Sequence, residues 1–482
     1  MMRPAMVLVS LLALQGAPLA AQERFDRTVP PTPGPTPAIR VPTWTRTTLA
    51  NGAQLVVTEK HDLPLVAFSI GFVGGAYNFE PAGKLGVASF TAQMLSEGTA
   101  SKTADQLSET QQMLGTQISS GVSGEGGSLG FTSLKDKFEP ALALLADMLT
   151  NSTFPAPALE RIRGRTLVQL QQAKDQPNAI ASNVFARVVY GSAHPYGRVV
   201  NETTVQAITR DDIVAFHAAY FQPGRAVISV TGDVQPAAVQ AVVEKALAGW
   251  PAGGARPTWQ YPPAPPSQAT TIYLVDKPNA AQSVFAIGLP GPARDTPDFY
   301  AIQVMNHLLG GLFQSRLNHN IREVKGYSYG VGSNFAFGRG PGAFRAGGGI
   351  MTAKTDSALI EFMKEFRGVA GEVPFTDDEI TQGKESLIQS LPRRFSSVNG
   401  IGSSVSSIFT QDLPQSFYQD YPANINAITR DDLVRVARKY VDLQHLNIVI
   451  VGDRAVVAPM LEATGIAPIV RLDLEGRPVP IP

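Results

Sequence analysis

The sequence predicts an α+β protein of two duplicated domains, each a mainly antiparallel sheet covered by helices. Length is the first observation: 482 residues exceed what one core organises, since domains run to roughly 100–200 residues. An internal repeat is the second. Residues 205–233, VQAITRDDIVAFHAAYFQPGRAVISVTGD, align without a gap to residues 425–453, INAITRDDLVRVARKYVDLQHLNIVIVGD, and 11 of 29 positions are identical. Average composition gives about two matches in such a window. The third is spacing: strand-like runs open each half in close pairs, which suits hairpins rather than long parallel crossovers.

Taken in order, Met1–Arg3 supply a short positive start, Ala5–Leu14 an apolar core, and Gly16–Ala21 a run ending in small residues. This is the pattern of an export signal over 1–21, and its core is too short to span a bilayer, which needs about 20 apolar residues. Prolines 30, 31, 33, 35 and 37 make 22–42 an extended arm. A first domain is expected over 43–248, with strands at Gln54–Thr58 and Val66–Val73 and helices at Ala104–Leu114 and Lys137–Leu149. Residues 249–269, with Pro251, Pro257, Pro262, Pro263, Pro265 and Pro266, read as a stiff linker. A second domain over 270–470 opens with strands at Thr271–Val275 and Ser283–Leu289. Within the repeat, Thr209 and Thr429 precede Arg-Asp-Asp and suit helix N-caps. Strands Val227–Thr231 and Asn447–Val451 then end at Gly-Asp turns.

Composition narrows the function. Forty Lys+Arg balance 40 Asp+Glu, so no long-range positive field draws nucleic acid or an acidic membrane. The absence of cysteine excludes disulfides, thiolate zinc sites, iron–sulfur clusters and a cysteine nucleophile. No segment after the leader has 18 uninterrupted apolar residues, so no membrane span is expected. A soluble periplasmic or secreted chain is the expectation.

Gly74-Gly75-Ala76 followed by GKLGVASFTAQMLSEGT (83–99) resembles the zinc-binding segment of the pitrilysin/insulinase peptidase family, mitochondrial processing peptidase type. The resemblance implies a clam-shell cleft between the two domains. The frame residues Gly86, Ala88, Phe90, Met94, Leu95, Gly98 and Thr99 match, but the family's HxxEH histidines fall on Ser89 and Gln93 and its glutamate on Ala92. In HxxEH, positions four apart on one helical face bring two imidazoles onto the metal while the glutamate polarises its water. A hydroxyl and an amide are poor zinc ligands, and Ala92 cannot accept a proton. The family's third ligand, a downstream glutamate, falls near Gln169. The other histidines form no metal-binding pair, and His194 in GSAHPYGR reads as a loop-structuring residue.

The second half retains a different part of the family pattern. GGLFQSRLNHNIREVKGYSYGVGSN (310–334) resembles the segment whose arginine and tyrosine face the zinc across the cleft, bind the substrate backbone and stabilise the oxyanion. Those positions are Arg322 and Tyr329, seven apart as in the family, with Ser315-Arg316-Leu317, Glu323, Gly326 and Gly330 also matching and Tyr327-Ser328 departing from it. The glycine-dense FGRGPGAF (337–344) lacks the Lys-Ser/Thr of a phosphate loop and reads as a hairpin turn. Arg339 and Arg345 stand near it as candidates for contacting peptide carboxylates.

The resemblance implies a zinc-less subunit that binds no cofactor itself and works with an HxxEH-bearing paralogous chain, where the zinc is expected, on a peptide substrate. Two other readings stay open: a peptide-binding or scaffolding pseudoenzyme without any proteolysis, and an autonomous metallopeptidase using unrecognised ligands.

Overall fold

A computed structural model describes residues 40–253, 256 and 258–479. The expected leader, most of the arm and the last prolines lie outside the described residues. The first half supplies strands β1 (Thr45–Thr48), β2 (Gln54–Glu59), β3 (Leu65–Val73), β4 (Ser119–Val122), β5 (Gly126–Leu134) and β6 (Ala226–Gly232). Its main helices are α1 (Val87–Met94), α2 (Phe138–Thr150), α3 (Ala156–Ala173), α4 (Pro177–Tyr190) and α5 (Arg210–Tyr220). The second half supplies β7 (Thr271–Asp276), β8 (Gln282–Pro290), β9 (Ser328–Phe335), β10 (Ala343–Met351), β11 (Asn447–Gly452) and β12 (Ile469–Leu472). With them come α6 (Phe299–Asn306), α7 (Thr355–Arg367), α8 (Val398–Thr410) and α9 (Arg430–Tyr440).

Two six-stranded sheets result, in the orders β1-β2-β6-β3-β5-β4 and β12-β7-β11-β8-β10-β9. Each is mainly antiparallel, with parallel pairs β2/β6, β7/β11 and β7/β12, so the α+β reading of two like domains holds. Thr209 and Thr429 cap α5 and α9 as expected, each in a reciprocal pair with Asp212 or Asp432. The glycine-dense run connects β9 to β10 as a hairpin. The linker is pinned rather than free: Trp250 donates to the Phe221 carbonyl at 2.9 Å, and the Trp259 ring packs on Phe79.

Strand alternation sends one side chain set into each sheet's own helical layer and the other set toward the opposite half. In β3, Phe68, Ile70 and Phe72 join the first-half core with α2. The opposite faces are covered by exchanged helices. α4, from the first half, packs on β8 and β11, while α8, from the second, packs on β3 and β6. The two joints differ in chemistry. Ile180, Val184, Phe185 and Val189 of α4 meet Val275, Val284, Val449 and Val451 in an apolar cluster. α8 carries Gly400, Gly402 and Ser403–Ser404 and faces Ser69, Gly71, Ser229 and Thr231; Ser229 donates to the Gly402 carbonyl at 3.3 Å. The buried hydroxyls of Thr58, Ser133 and Thr231 find no partner among the described residues.

Within the second half, Asp298, which precedes α6, is almost wholly buried and anchors α9. It accepts from the Tyr440 hydroxyl at 2.7 Å, Arg435 at 2.6 Å and Lys439 at 3.0 Å. Burial alone would raise its pKa, but the Tyr440 hydrogen bond and the two cations outweigh it and hold it down at about 2.

Two outcomes follow from this packing. Phe185→Ala should destabilise the whole chain by roughly 3–5 kcal/mol, the range for truncating a buried phenylalanine, whereas Ser406→Ala on α8 should change stability by less than about 1 kcal/mol. Urea unfolding checks both, and equal effects would contradict the contrast between the joints. Because the folded pKa of Asp298 is depressed, its stabilisation is present above the unfolded value and disappears as pH falls from about 4 to about 2, a loss on the order of 2 kcal/mol. Asp298→Asn should flatten that part of the urea-midpoint profile against pH.

Candidate functional site

The helix carrying the degenerate motif is well built. Gly86 precedes α1 at φ 103°, a left-handed conformation that glycine adopts without strain. The Glu80 carboxylate accepts from the backbone N–H groups of Gly86 and Ala88, both at 2.9 Å, which satisfies donors at the positive end of the helix. Val87, Ala88, Phe90, Thr91, Ala92 and Met94 are buried, leaving Ser89 and Gln93 on the outer face. Positions four apart lie one above the other, and Gln93 Nε2 donates to Ser89 Oγ at 3.1 Å.

A residue that the sequence pattern does not single out completes this face. Arg165 on α3 donates to Gln93 Oε1 at 2.5 Å. Gln169, four residues further along α3, is exposed. Where the family pattern asks for two imidazoles and carboxylates, this chain places a hydroxyl, an amide and a guanidinium. Arginine stays charged at any ordinary pH, so it repels a second cation at close range. These residues do not fit zinc. Among the described residues, no three histidines, aspartates or glutamates gather where a metal could be held.

Arg322 and Tyr329 come from the second half. Arg322 sits in a wide-turned helix, His319–Val324, with its guanidinium 4.4 Å from the centre of the Phe313 ring and 3.4 Å from Glu323. Tyr329 is 88% exposed on β9, an edge strand. The buried Asn318 ties the two regions together, donating to the Phe313 carbonyl at 2.7 Å and accepting from the Val331 N–H at 3.2 Å. Ser89 instead lines a cavity of about 180 Å³ with Glu80 and Arg198, all from the first half. No hydrogen bond or ion pair among the described residues joins Arg322 or Tyr329 to Ser89 or Gln93.

The two halves meet at a third polar cluster. Glu125, between β4 and β5, accepts from the Tyr196 hydroxyl and from the Arg339 N–H at 2.7 Å; Tyr196 in turn accepts from the Gly340 N–H at 3.0 Å. A Cβ at Gly338 would lie 2.8 Å from the Glu125 carboxylate, and one at Gly340 2.5 Å from the Tyr196 hydroxyl, so close approach explains the glycines of this hairpin. Burial, with the Glu125 contact second, pushes the Tyr196 phenol well up. His194 has the structuring role expected of it: Nδ1 accepts from the Tyr196 N–H and Nε2 lies 3.1 Å from the Pro262 carbonyl. Cavities of about 760 and 430 Å³ lie on either side of Glu125, Phe337 and Gly338, which line both. The larger one opens between the halves, where the cleft was expected.

These features define a duplicated α+β chain with a peptidase-like frame and, among the described residues, no fitting metal site. Residues 56–195 match the family model described as insulinase (peptidase family M16), and residues 207–387 match the peptidase M16 inactive domain. The chain belongs to the insulinase, or M16, peptidase family. It is 26% identical over 356 residues to a protein named uncharacterized zinc protease YmxG from Bacillus subtilis, covering 73% of this chain and 85% of that one. It is 23% identical over 406 residues to a protein named non-peptidase homolog YmxG from Helicobacter pylori, covering 83% and 92%. Among solved structures, a peptidase M16 inactive domain from Pseudomonas fluorescens superposes with a TM-score of 0.79 at 26% identity, over 85% of this chain and 98% of that one. The periplasmic protease PqqL from Escherichia coli shares the fold, with a TM-score of 0.70 at 16% identity over 87% of this chain and 50% of PqqL.

If the Arg165 guanidinium opposes metal, rebuilding the motif will not suffice. Zinc should bind at least about tenfold more tightly to the Ser89→His, Ala92→Glu, Gln93→His chain when Arg165→Ala is added, a difference of at least about 1.4 kcal/mol. Titration against a chromogenic chelator reads the affinity, and equal affinities would show that Arg165 does not matter.

Proposed function

We propose that this chain is the zinc-less subunit of an exported heterodimeric M16 metallopeptidase, and that Arg322 and Tyr329 serve a zinc site carried by an HxxEH-bearing partner. One observation carries the reading: Arg165 sits on Gln93 where metal chemistry would need ligands, while Tyr329 is 88% exposed and Arg322 is held, half-buried, against Phe313. A guanidinium and a phenol donate directed hydrogen bonds to a peptide carbonyl and to the oxyanion that grows from it. Neither has to change protonation to do so. The packing of Arg322 against Phe313 limits its rotamers, and a preorganised donor loses less entropy when substrate arrives. The leader pattern of Met1–Ala21 supports export, and the two like sheets support domains over 43–248 and 270–470 joined by the 249–269 linker. Among the described residues, no helix is long and apolar enough to cross a membrane.

A second reading, peptide binding without proteolysis, draws on β4. That strand pairs with β5 on one side and forms the edge of its sheet beside α1. An open edge accepts an extended peptide through backbone hydrogen bonds whether or not a metal is near.

Reconstitution with the HxxEH chain separates the readings. Arg322→Ala should lower kcat of the pair by about 10²-fold, the effect of removing one oxyanion donor, and Tyr329→Phe should also lower it, while this chain alone cleaves nothing and a chelator silences the pair. Unchanged turnover in Arg322→Ala would refute the assigned role. Peptide affinity of the isolated chain, with no effect on the partner's turnover, would favour the second reading.

A further inference from the structure

The cavity of about 760 Å³ between the halves has no part in the proposed pairing, and its lining is chemically specific. One wall is β3 and the β4–β5 hairpin, the other is α8, and Arg294 and Arg339 close it from the second half. The two arginines differ. Arg339 is committed, paired with Asp412 at 2.8 Å and donating to the Thr410 carbonyl. Arg294 lies over the Phe299 ring at 3.4 Å and near Phe417 at 5.0 Å, and its guanidinium has no hydrogen bond or ion pair among the described residues. The titratable neighbours that act on it are the phenols of Tyr300, Tyr418 and Tyr421, with no carboxylate among them, and burial lowers its pKa. A half-buried cation stacked on ring faces and lacking a counter-charge is placed to receive an anion, which it binds at less desolvation cost than a fully hydrated one.

The remaining lining indicates which anion. Ser69, Ser128, Ser403 and Ser406 supply hydroxyls, Phe337 supplies apolar surface, and Glu125 closes the side shared with the smaller cavity. A multiply charged phosphate would be repelled by Glu125. A peptide end brings one carboxylate, several N–H donors and an apolar side chain, and the volume falls in the range of roughly 300–1,000 Å³ usual for small-ligand sites. We propose that this cavity binds the carboxyl-terminal end of a short peptide, with its α-carboxylate on Arg294 and its N–H groups toward the seryl oxygens and Glu125. The site is separate from the surface of Arg322 and Tyr329, and its existence does not depend on the pairing proposed above.

Calorimetric titration of the whole chain with the tripeptide Gly-Phe-Ala, its C-terminal amide and inorganic phosphate tests this. The free acid should bind at least about tenfold more tightly than the amide, Arg294→Gln should erase that difference, and phosphate should not compete. Should the stacked Arg294 prove necessary for folding, Ser403→Phe, at an exposed position of α8 that lines the cavity, should abolish binding with the thermal unfolding profile unchanged. No binding of the acid, equal binding of acid and amide, competition by phosphate, or binding that survives Ser403→Phe would each overturn the proposal.

Discussion

The exchange of α4 and α8 is the constraint on which the rest of this structure depends. A sheet stable in water needs its apolar face covered, and here each inner face is covered by a helix that belongs, by chain order, to the other half. Separated, the second sheet would expose Val275, Val284, Val449 and Val451, and α4 would expose Ile180, Val184 and Phe185. The two halves are therefore one folding unit despite their duplicated sequence. The relative placement of surfaces as distant in sequence as the α1 face and the Arg322–Phe313 stack follows from that mutual coverage.

Duplication left two copies of one joint, and they have diverged. The α4 joint is mainly apolar, with Phe185 at the edge of the smaller cavity, and it resists shear because sliding would break close packing. The α8 joint combines glycine and serine with the buried Val56 and Val227, contains unpartnered hydroxyls and borders the larger cavity. Its weaker apolar contribution is offset by the contacts of Glu125 with Tyr196 and the Arg339 backbone, which hold the β9–β10 hairpin against the β4–β5 turn. One joint anchors the halves, and the other provides polar space between them.

The same logic of a kept frame and changed side chains applies to α1. Its capping by Glu80 and its buried face are those of a precise helix. Its outer face carries a neutral pair, Ser89 and Gln93, bridged to the positive charge of Arg165. That arrangement supplies a local cation without coordination chemistry, and it leaves the outer face of α1 as a hydrogen-bonded surface beside the open edge of β4.

Much of the fold is legible in the chain because the signals are local. Thr209 with Asp212, and Thr429 with Asp432, are three residues apart and cap their helices wherever these sit. The alternation of β3 and the runs of β7 and β8 depend on near neighbours in the same way, and a spacing of four is enough to put Ser89 and Gln93 on one helical face. Arg165 could not be read as part of that face, since its contact with Gln93 spans 72 residues, nor Glu125 as the partner of Arg339, 214 residues away. Helix exchange was invisible for the same reason: periodicity shows that a helix has an apolar face but not which sheet will cover it. By itself the sequence determined the duplicated elements and the absence of histidine and glutamate at positions 89, 92 and 93. Only the tertiary structure decided which half covers which, and which charges meet, because those choices rest on contacts between residues that chain order does not bring together.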